Sequence, residues 1–247
     1  MNAPPLLQAE ALRPRREDGE PFEHAFDYQG YAGRVVCLVG PNGGGKTAYL
    51  RALAGVDAVA SGRLKLFGED VAAMNDEAFV RLRRRAAFIN EGAPLLSVVS
   101  GLSNVTLPAM YHHLGNAPQI RQQALDTLAF LKYPGRDDLL PAYLNQHERL
   151  LLAIARCLML SPELMFLDEP FHMTDSACRE RESEIYTRLA RERGLGVFLA
   201  THNLGFVKRR ADEIVFVHHS GIQHFGGWQP FAESGSPDVA MFLNVAA

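Results

Sequence analysis

"GPNGGGKT", residues 40–47, decides how the rest of this chain is read. It fits the pattern G-x-x-x-x-G-K-[ST], follows the apolar run "RVVCLVG" (34–40) and opens the helix-like "TAYLRALAG" (47–55). Strand, glycine-rich loop and helix in that order are the context in which this pattern binds phosphate. The reason lies in the backbone. Loop N–H groups must converge on phosphate oxygens, and a Cβ at Gly43 or Gly45 would hinder both the wrap and the approach. The following helix adds its N-terminus, equivalent to about half a positive charge. Gly40, Pro41, Asn42, Gly43, Gly44, Gly45, Lys46 and Thr47 are therefore expected to bind a nucleotide. Lys46 is expected on the β- and γ-phosphates and Thr47 Oγ on Mg2+. A glycine-rich turn with no ligand would need no Lys-Thr after it.

Outward from the loop, short apolar runs alternate with helical stretches. Residues 34–40, 86–90, 163–168, 196–200 and 213–218 read as strands, several apolar throughout, as strands buried on both faces are. Helical composition or spacing marks 46–54, 75–85, 119–132, 147–160, 175–193 and 203–210. The alternation predicts an α/β fold, a mainly parallel sheet with flanking helices. Residues 91–160 carry no convincing strand. Roughly seventy residues is far longer than one crossover needs, so they read as an inserted helical subdomain.

"LMFLDEP" (164–170) ends a predicted strand in Asp168 and Glu169, and "THN" ends the next in His202. C-terminal strand ends of a parallel sheet line its ligand crevice. There Asp168 can hold Mg2+ and Glu169 can orient or deprotonate an attacking water. An Asp-Glu pair alone often only caps a helix; with a phosphate loop and a strand-end histidine it forms a specific set.

Composition narrows the partners. The 247 residues are 47% hydrophobic and 21% charged with a net charge of −3, ordinary for a globular protein and no reason to expect nucleic acid. "RLRRRAA" (81–87) reads as a solvated helix face. Cys37, Cys157 and Cys178 lack metal spacing, and the first two read as small buried residues, suiting a reducing compartment. No run is apolar enough for a secretion signal or a membrane span, so a cytoplasmic protein is expected.

At this point the chain resembles the ATP-binding subunits of ABC transporters, over essentially its whole length. "GPNGGGKT" looks like Walker A, "LMFLDE" like Walker B with its catalytic glutamate Glu169, and "THN" like the switch-histidine loop with His202. "HMTD" (172–175) stands where the family's D-loop stands, with Asp175 matching its aspartate. "AFINEGAPLLSVVSGLSNVTLPAMYHH" (87–113) looks like the Q-loop and the start of the helical subdomain, with Asn90 in the glutamine position. "NEGAPLLS", "SNVTLPAMYH" and the tail "ESGSPDVAMFLN" are similar to the ATPases of MCE-type (Mla-like) lipid transport systems.

The resemblance implies a P-loop NTPase with an N-terminal antiparallel β part. It divides the chain into a RecA-like core (1–90 and 161–235), the helical subdomain 91–160 and a tail, 236–247. It implies ATP and Mg2+ as cofactors, and as partners a second ATPase subunit, identical or not, with integral membrane subunits. It implies a peripheral place on the cytoplasmic face of the inner membrane. A small regulatory subunit at the C-terminus is a further implied partner; a terminal helix docked on its own domain is the alternative for "DVAMFLNVAA".

Departures from the pattern matter as much. Counting back from "AIAR" puts Leu144, Asn145, Gln146, His147 and Glu148 where the family has L-S-G-G-Q, and no glycine occurs from 136 to 193. Asn145 can still cap a helix. Side chains at Gln146 and His147 obstruct backbone approach to the partner subunit's nucleotide and disfavour positive φ. A protonated His147 could donate to phosphate and offset part of the loss. Slow or asymmetric hydrolysis is the expectation, with a nucleotide-binding regulatory subunit as the alternative. Asn90 is one methylene shorter than glutamine. The adenine-stacking aromatic that the family carries is missing; an arginine of "RPRRED" (13–18) or Phe22 could serve, though Phe22 also reads as a buried staple. The histidine groups read as solvated or strand-end residues, and Phe225, Trp228, Phe231 and Phe242 as C-terminal packing.

Overall fold

Every side chain from Val35 to Val39 is buried, so this strand must be covered on both faces. In the structure, a computed structural model that describes residues 4–16, 18–171 and 176–246, it lies at the centre of a six-stranded sheet. The side chains of 176–178 and 246 are outside the description, as are residues 172–175, so the Asp175 expectation falls outside the described residues.

In chain order the elements are β1 (Leu7–Arg13), β2 (Phe26–Gly30), β3 (Val35–Val39), α1 (Lys46–Leu53), β4 (Ser61–Leu66), β5 (Glu69–Asp70), α2 (Asp76–Arg85) and β6 (Ala86–Ile89). Then come α3 (Gly101–Tyr111), α4 (Ala117–Phe130), α5 (Gln146–Leu158), β7 (Leu164–Asp168), α6 (Ser176–Arg193) and β8 (Gly196–Ala200). The chain closes with α7 (Leu204–Arg210), β9 (Glu213–His218), β10 (Gly221–Phe225), α8 (Trp228–Ala232) and α9 (Pro237–Ala246). The large sheet runs β10-β9-β3-β8-β7-β6, parallel except for the β9–β10 hairpin. A second, antiparallel sheet runs β2-β1-β4-β5, as the family resemblance implied. The fold is the α/β arrangement expected, and the five strands read from the sequence have limits within one residue of those observed; β1, β2, β4, β5 and β10 are not among them. Helix α4 starts two residues earlier than its pattern suggested, because Asn116 caps it in a reciprocal box with Gln119.

The two sheets meet through aromatics. Phe198 stacks on Phe166 at 4.9 Å and receives Tyr28 edge-on at 6.0 Å. The Tyr28 hydroxyl, at the end of that contact, donates to Glu213 Oε2 at 2.8 Å. Gly30 is small because a Cβ there would meet the Phe198 ring at 2.7 Å.

Residues 91–160 are helical, with no strand among those described. Leu150, Leu151, Ile154, Ala155 and Leu158 of α5 are buried, and α3 packs close at Gly101, where a Cβ would meet Leu152 at 2.8 Å. The run "RLRRRAA" departs from its reading as a solvated face. Arg81 is exposed and paired with Glu77, but Arg83, Arg84 and Arg85 are half-buried. Arg83 donates to the Ala54 carbonyl, and Arg85 pairs with Glu163 and lies 3.8 Å over the Phe67 ring. Their aliphatic stems cover apolar surface, which charge counting alone does not reveal.

At the C-terminus, Phe231 is fully buried against Phe216, Phe225 and Trp228. Helix α9 docks on its own domain through Val239 and Phe242, the latter 5.4 Å from Phe216, while Met241 and Val245 face outward. Cys37 is buried and Cys157 half-buried, and burial pushes the Cys157 thiol up to about 11. Among the described residues no helix is long and apolar enough to cross a membrane.

Phe198→Ala is expected to cost about 3–5 kcal/mol, read from the urea midpoint, because the cavity opens between two sheets that cannot both collapse onto it. A loss below about 1 kcal/mol would mean that the sheets are not held together through this ring.

Candidate functional site

Strand β3 ends at Val39 and the chain turns through three glycines at positive φ: Gly40 at 150°, Gly43 at 73° and Gly45 at 99°. Their reasons differ. A Cβ at Gly40 would lie 2.0 Å from the Val217 carbonyl oxygen, and one at Gly45 would lie 2.6 Å from the Phe22 ring. Gly43 has open space around it, so there only the backbone angle demands glycine. At Gly44 the Val217 oxygen is again close, 3.0 Å from where a Cβ would stand. Lys46, buried, folds back and donates from Nζ to the Gly40 and Pro41 carbonyls, each at 3.1 Å. Burial lowers its pKa, opposed by Glu169 and Asp168.

Thr47 Oγ1 donates to Asp168 Oδ1 at 2.9 Å, so the start of α1 and the end of β7 meet. Burial raises the Asp168 pKa, and the Thr47 hydrogen bond works against it. Glu169 follows at a φ of 41°, a left-handed angle costly for a residue with a side chain, and its N–H donates to the Ala200 carbonyl at 3.0 Å. That turn aims its carboxylate at His202: Nε2 lies 3.2 Å from Oε1, and the His202 N–H donates to Oε2 at 3.3 Å. Burial pushes the Glu169 carboxyl up to about 7, less an opposing effect of Lys46. The His202 pKa is lowered, first by burial and then by Lys46. His202 is fixed by its neighbours: Thr201 N–H donates to the Leu38 carbonyl, and Asn203 caps α7 through the Phe206 N–H.

Asn90, exposed beyond β6, accepts at Oδ1 from Arg51 at 3.1 Å. Arg51 is also paired with both Asp57 carboxylate oxygens, at 2.7 and 2.8 Å. Beside them opens a cleft of about 490 Å3, lined in part by Arg83, Arg84, Arg156, Phe79, Phe88 and Pro108.

Residues 145–148 start α5 in a way that differs from two expectations. Gln146 and His147 are the first helical residues with no positive φ, so backbone strain is not the obstacle. Asn145 Oδ1 accepts from the Glu148 N–H at 2.9 Å, and Glu148 Oε2 accepts from the Asn145 N–H at 2.8 Å, a closed capping box. Buried Glu148 also faces Arg136 at 3.5 Å. His147 turns inward, Nδ1 2.9 Å from Oε1 of the buried Glu182 on α6, rather than outward as a phosphate donor. The two adenine candidates come together as one stack: Phe22, half-buried over Gly45 and 5.3 Å from Tyr49, carries the Arg16 guanidinium at 5.2 Å. Arg51, Glu182 and the Val217 carbonyl were not visible as site residues, since each matters only through a contact distant in sequence.

Known proteins resemble this chain in sequence and in fold. A family model described as ABC transporter matches residues 24–172. The lipoprotein-releasing system ATP-binding protein LolD of Ruegeria sp. (strain TM1040) is 32% identical over 82% of this chain and 91% of its own length. The methionine import ATP-binding protein MetN of Chlamydia pneumoniae is 29% identical over 79% of this chain, which spans 58% of that longer protein. Among solved structures, the dimeric bacterial ABC transporter cassette MJ0796 has a TM-score of 0.81 at 21% identity, covering 89% of this chain and 98% of that one. The chain belongs to the ABC transporter ATP-binding family, and as a member it is an ATPase.

A carboxyl whose folded pKa is raised binds its proton more tightly folded than unfolded. Stability is therefore lost as pH rises from about 4.5 to about 7, and the loss is complete above that. Glu169→Gln should raise the melting temperature of the ligand-free protein at pH 8 and leave it unchanged at pH 4. Equal gains at both pH values would show that the carboxylate charge is not the cause.

Proposed function

With that membership as premise, we propose that this chain powers a transporter of lipid or another hydrophobic substrate, as one of a pair of ATPase subunits on integral membrane subunits at the cytoplasmic face of the inner membrane. The observation that carries the reading is the meeting of Lys46, Thr47, Asp168, Glu169 and His202 at one sheet edge. The loop amides and Lys46 hold the phosphates, Lys46 exchanging its two carbonyl partners for phosphate oxygens. The Thr47 hydroxyl and the Asp168 carboxylate suit Mg2+: two hard oxygens already converge, and a cation would relieve the penalty of burying Asp168. Bound there, Mg2+ would neutralise charge on the phosphates.

Glu169 orients the attacking water and takes its proton as the water oxygen bonds to the γ-phosphorus and ADP leaves. A carboxyl near 7 is matched to that task. His202, neutral because its pKa is lowered, steadies the Glu169 carboxylate and reads the γ-phosphate. Asn90 links this edge through Arg51 to the arginine-lined cleft, a surface suited to a membrane subunit. Asp175 is assigned to the D-loop by its place in "HMTD".

In the pair, the start of α5 in one subunit closes over the other's nucleotide. Here Asn145 and Glu148 satisfy each other, a carboxylate stands at the helix start, and His147 is held by Glu182. Those features favour slow or asymmetric turnover. Lipid as cargo is supported by the stretches 90–97, 103–112 and 233–244 and by similarity to a lipoprotein-releasing ATPase; the outward Met241 and Val245 of α9 offer a surface for a small regulatory subunit.

Single-turnover hydrolysis by the assembled complex tests the reading. Wild type should hydrolyse ATP, with a rate falling as pH drops below about 7, and Glu169→Gln should bind ATP yet lose about a hundredfold or more in rate. No hydrolysis in either protein would favour the regulatory-subunit alternative. For the base, Phe22→Ala should weaken ATP binding about tenfold and leave inorganic tripolyphosphate binding unchanged, since tripolyphosphate has no ring to stack. Equal losses for both ligands would assign Phe22 to loop support instead.

A further inference from the structure

The phosphate loop rests on a carbonyl that it does not own. The Val217 oxygen occupies the space where a Cβ of Gly40 would be, and closely underlies Gly44, so the end of β9 forms the floor of the loop. Val217 is paired with Ile222 of β10, and the turn that follows is itself tied down on two sides. His218 Nδ1 accepts from the Ser220 N–H at 3.3 Å and lies 2.8 Å from Ser220 Oγ. Ser220 Oγ donates to Asp238 Oδ2 in the first turn of α9, and His218 Nδ1 is 3.6 Å from the same carboxylate oxygen. On the other side, the His219 carbonyl pairs with His24 Nε2 at 2.9 Å, and the His24 carbonyl accepts the Tyr49 hydroxyl of α1 at 2.7 Å. The turn is thus tied to the C-terminal helix and to the helix that begins with Lys46.

We propose that Ser220 and Asp238 are positioning residues for nucleotide binding: by clasping the 218–220 turn to α9 they hold the Val217 carbonyl beneath Gly40 and Gly44. The inference rests on the reading of residues 40–47 as the phosphate site. Its physical basis is close packing. A loop whose amides must all point at one phosphate tolerates little displacement of the backbone behind it, and tight packing transmits such a shift. The buried imidazole of His218 adds to the clasp by filling the space between strand and helix, stacked on Phe216 at 5.7 Å. The surface of α9 thereby gains a route to the nucleotide that passes through one hydroxyl and one carboxylate.

The test uses the full chain with ATP and Mg2+, comparing Ser220→Ala, Asp238→Ala and the hydroxyl-retaining Ser220→Thr, with Ser234→Ala as a control in the same segment. The first two should raise the KM for ATP about five- to tenfold with kcat unchanged, and should speed amide exchange over residues 40–47. Ser220→Thr should recover the wild-type KM, and Ser234→Ala should alter neither reading. A general loss of folding would instead speed exchange throughout the chain. If Ser220→Ala and Asp238→Ala bind ATP like the wild type, or if exchange rises everywhere alike, the positioning role is wrong while the phosphate site stands. If the wild type itself binds no ATP, both readings fall.

Discussion

The hydrogen bond from Thr47 to Asp168 spans the site, and the rest of the structure exists to allow it. Thr47 lies in the first turn of the helix that follows β3 and Asp168 ends β7, two strands that are not adjacent because β8 lies between them. The two residues can meet only if all three strands run parallel and end at one edge. That requires long crossovers, and the crossovers require helices on both faces. The fully apolar character of β3, β7 and β8 follows from this covering. Burial then perturbs four groups at the edge, raising Asp168 and Glu169 and lowering Lys46 and His202. Under the proposed reading, phosphate would offset the burial of Lys46 and a cation that of Asp168.

The start of α5 is where the proposed departure from the family pattern lies, and the fold there is undisturbed. Asn145, Gln146, His147 and Glu148 start α5 soundly, with a capping box and two buried carboxylates, Glu148 and Glu182, each facing a basic side chain. In the proposed pair, local stability and contact with the other subunit's nucleotide would compete for the same atoms. A helix start that satisfies its own N–H group and adds a carboxylate has less to offer a phosphate on another subunit. The same economy acts at Asn90, whose amide oxygen is engaged by Arg51.

Much of this was legible from short stretches. Strands such as 196–200, and the set formed by Lys46, Asp168, Glu169 and His202, carry their meaning in residue type and spacing. The N-terminal antiparallel strands were less so, since β2 and β4 alternate buried and exposed residues over only a few positions and rely on partners far away. Helix α3 was hidden because Pro108 lies inside it and its anchor, Asn104, is a buried polar residue bonded to Leu96, Val99 and Ser100. The arginines after Arg81 misled for a related reason: a charge pattern does not say which stems lie on apolar surface.

The sequence by itself determined five strands of the large sheet, the glycine-rich turn between strand and helix and the strand-end position of the acid pair, because those depend on local backbone demands and on hydrophobic periodicity. Only the tertiary structure decided that Gly40 is required by the Val217 carbonyl, that Phe22 and Arg16 stack above Gly45, that His147 faces Glu182, and that the C-terminal helix is tied to the turn beneath the loop. Each of those contacts joins residues distant in the chain. Their meeting depends on sheet register and close packing, which no single stretch of sequence contains.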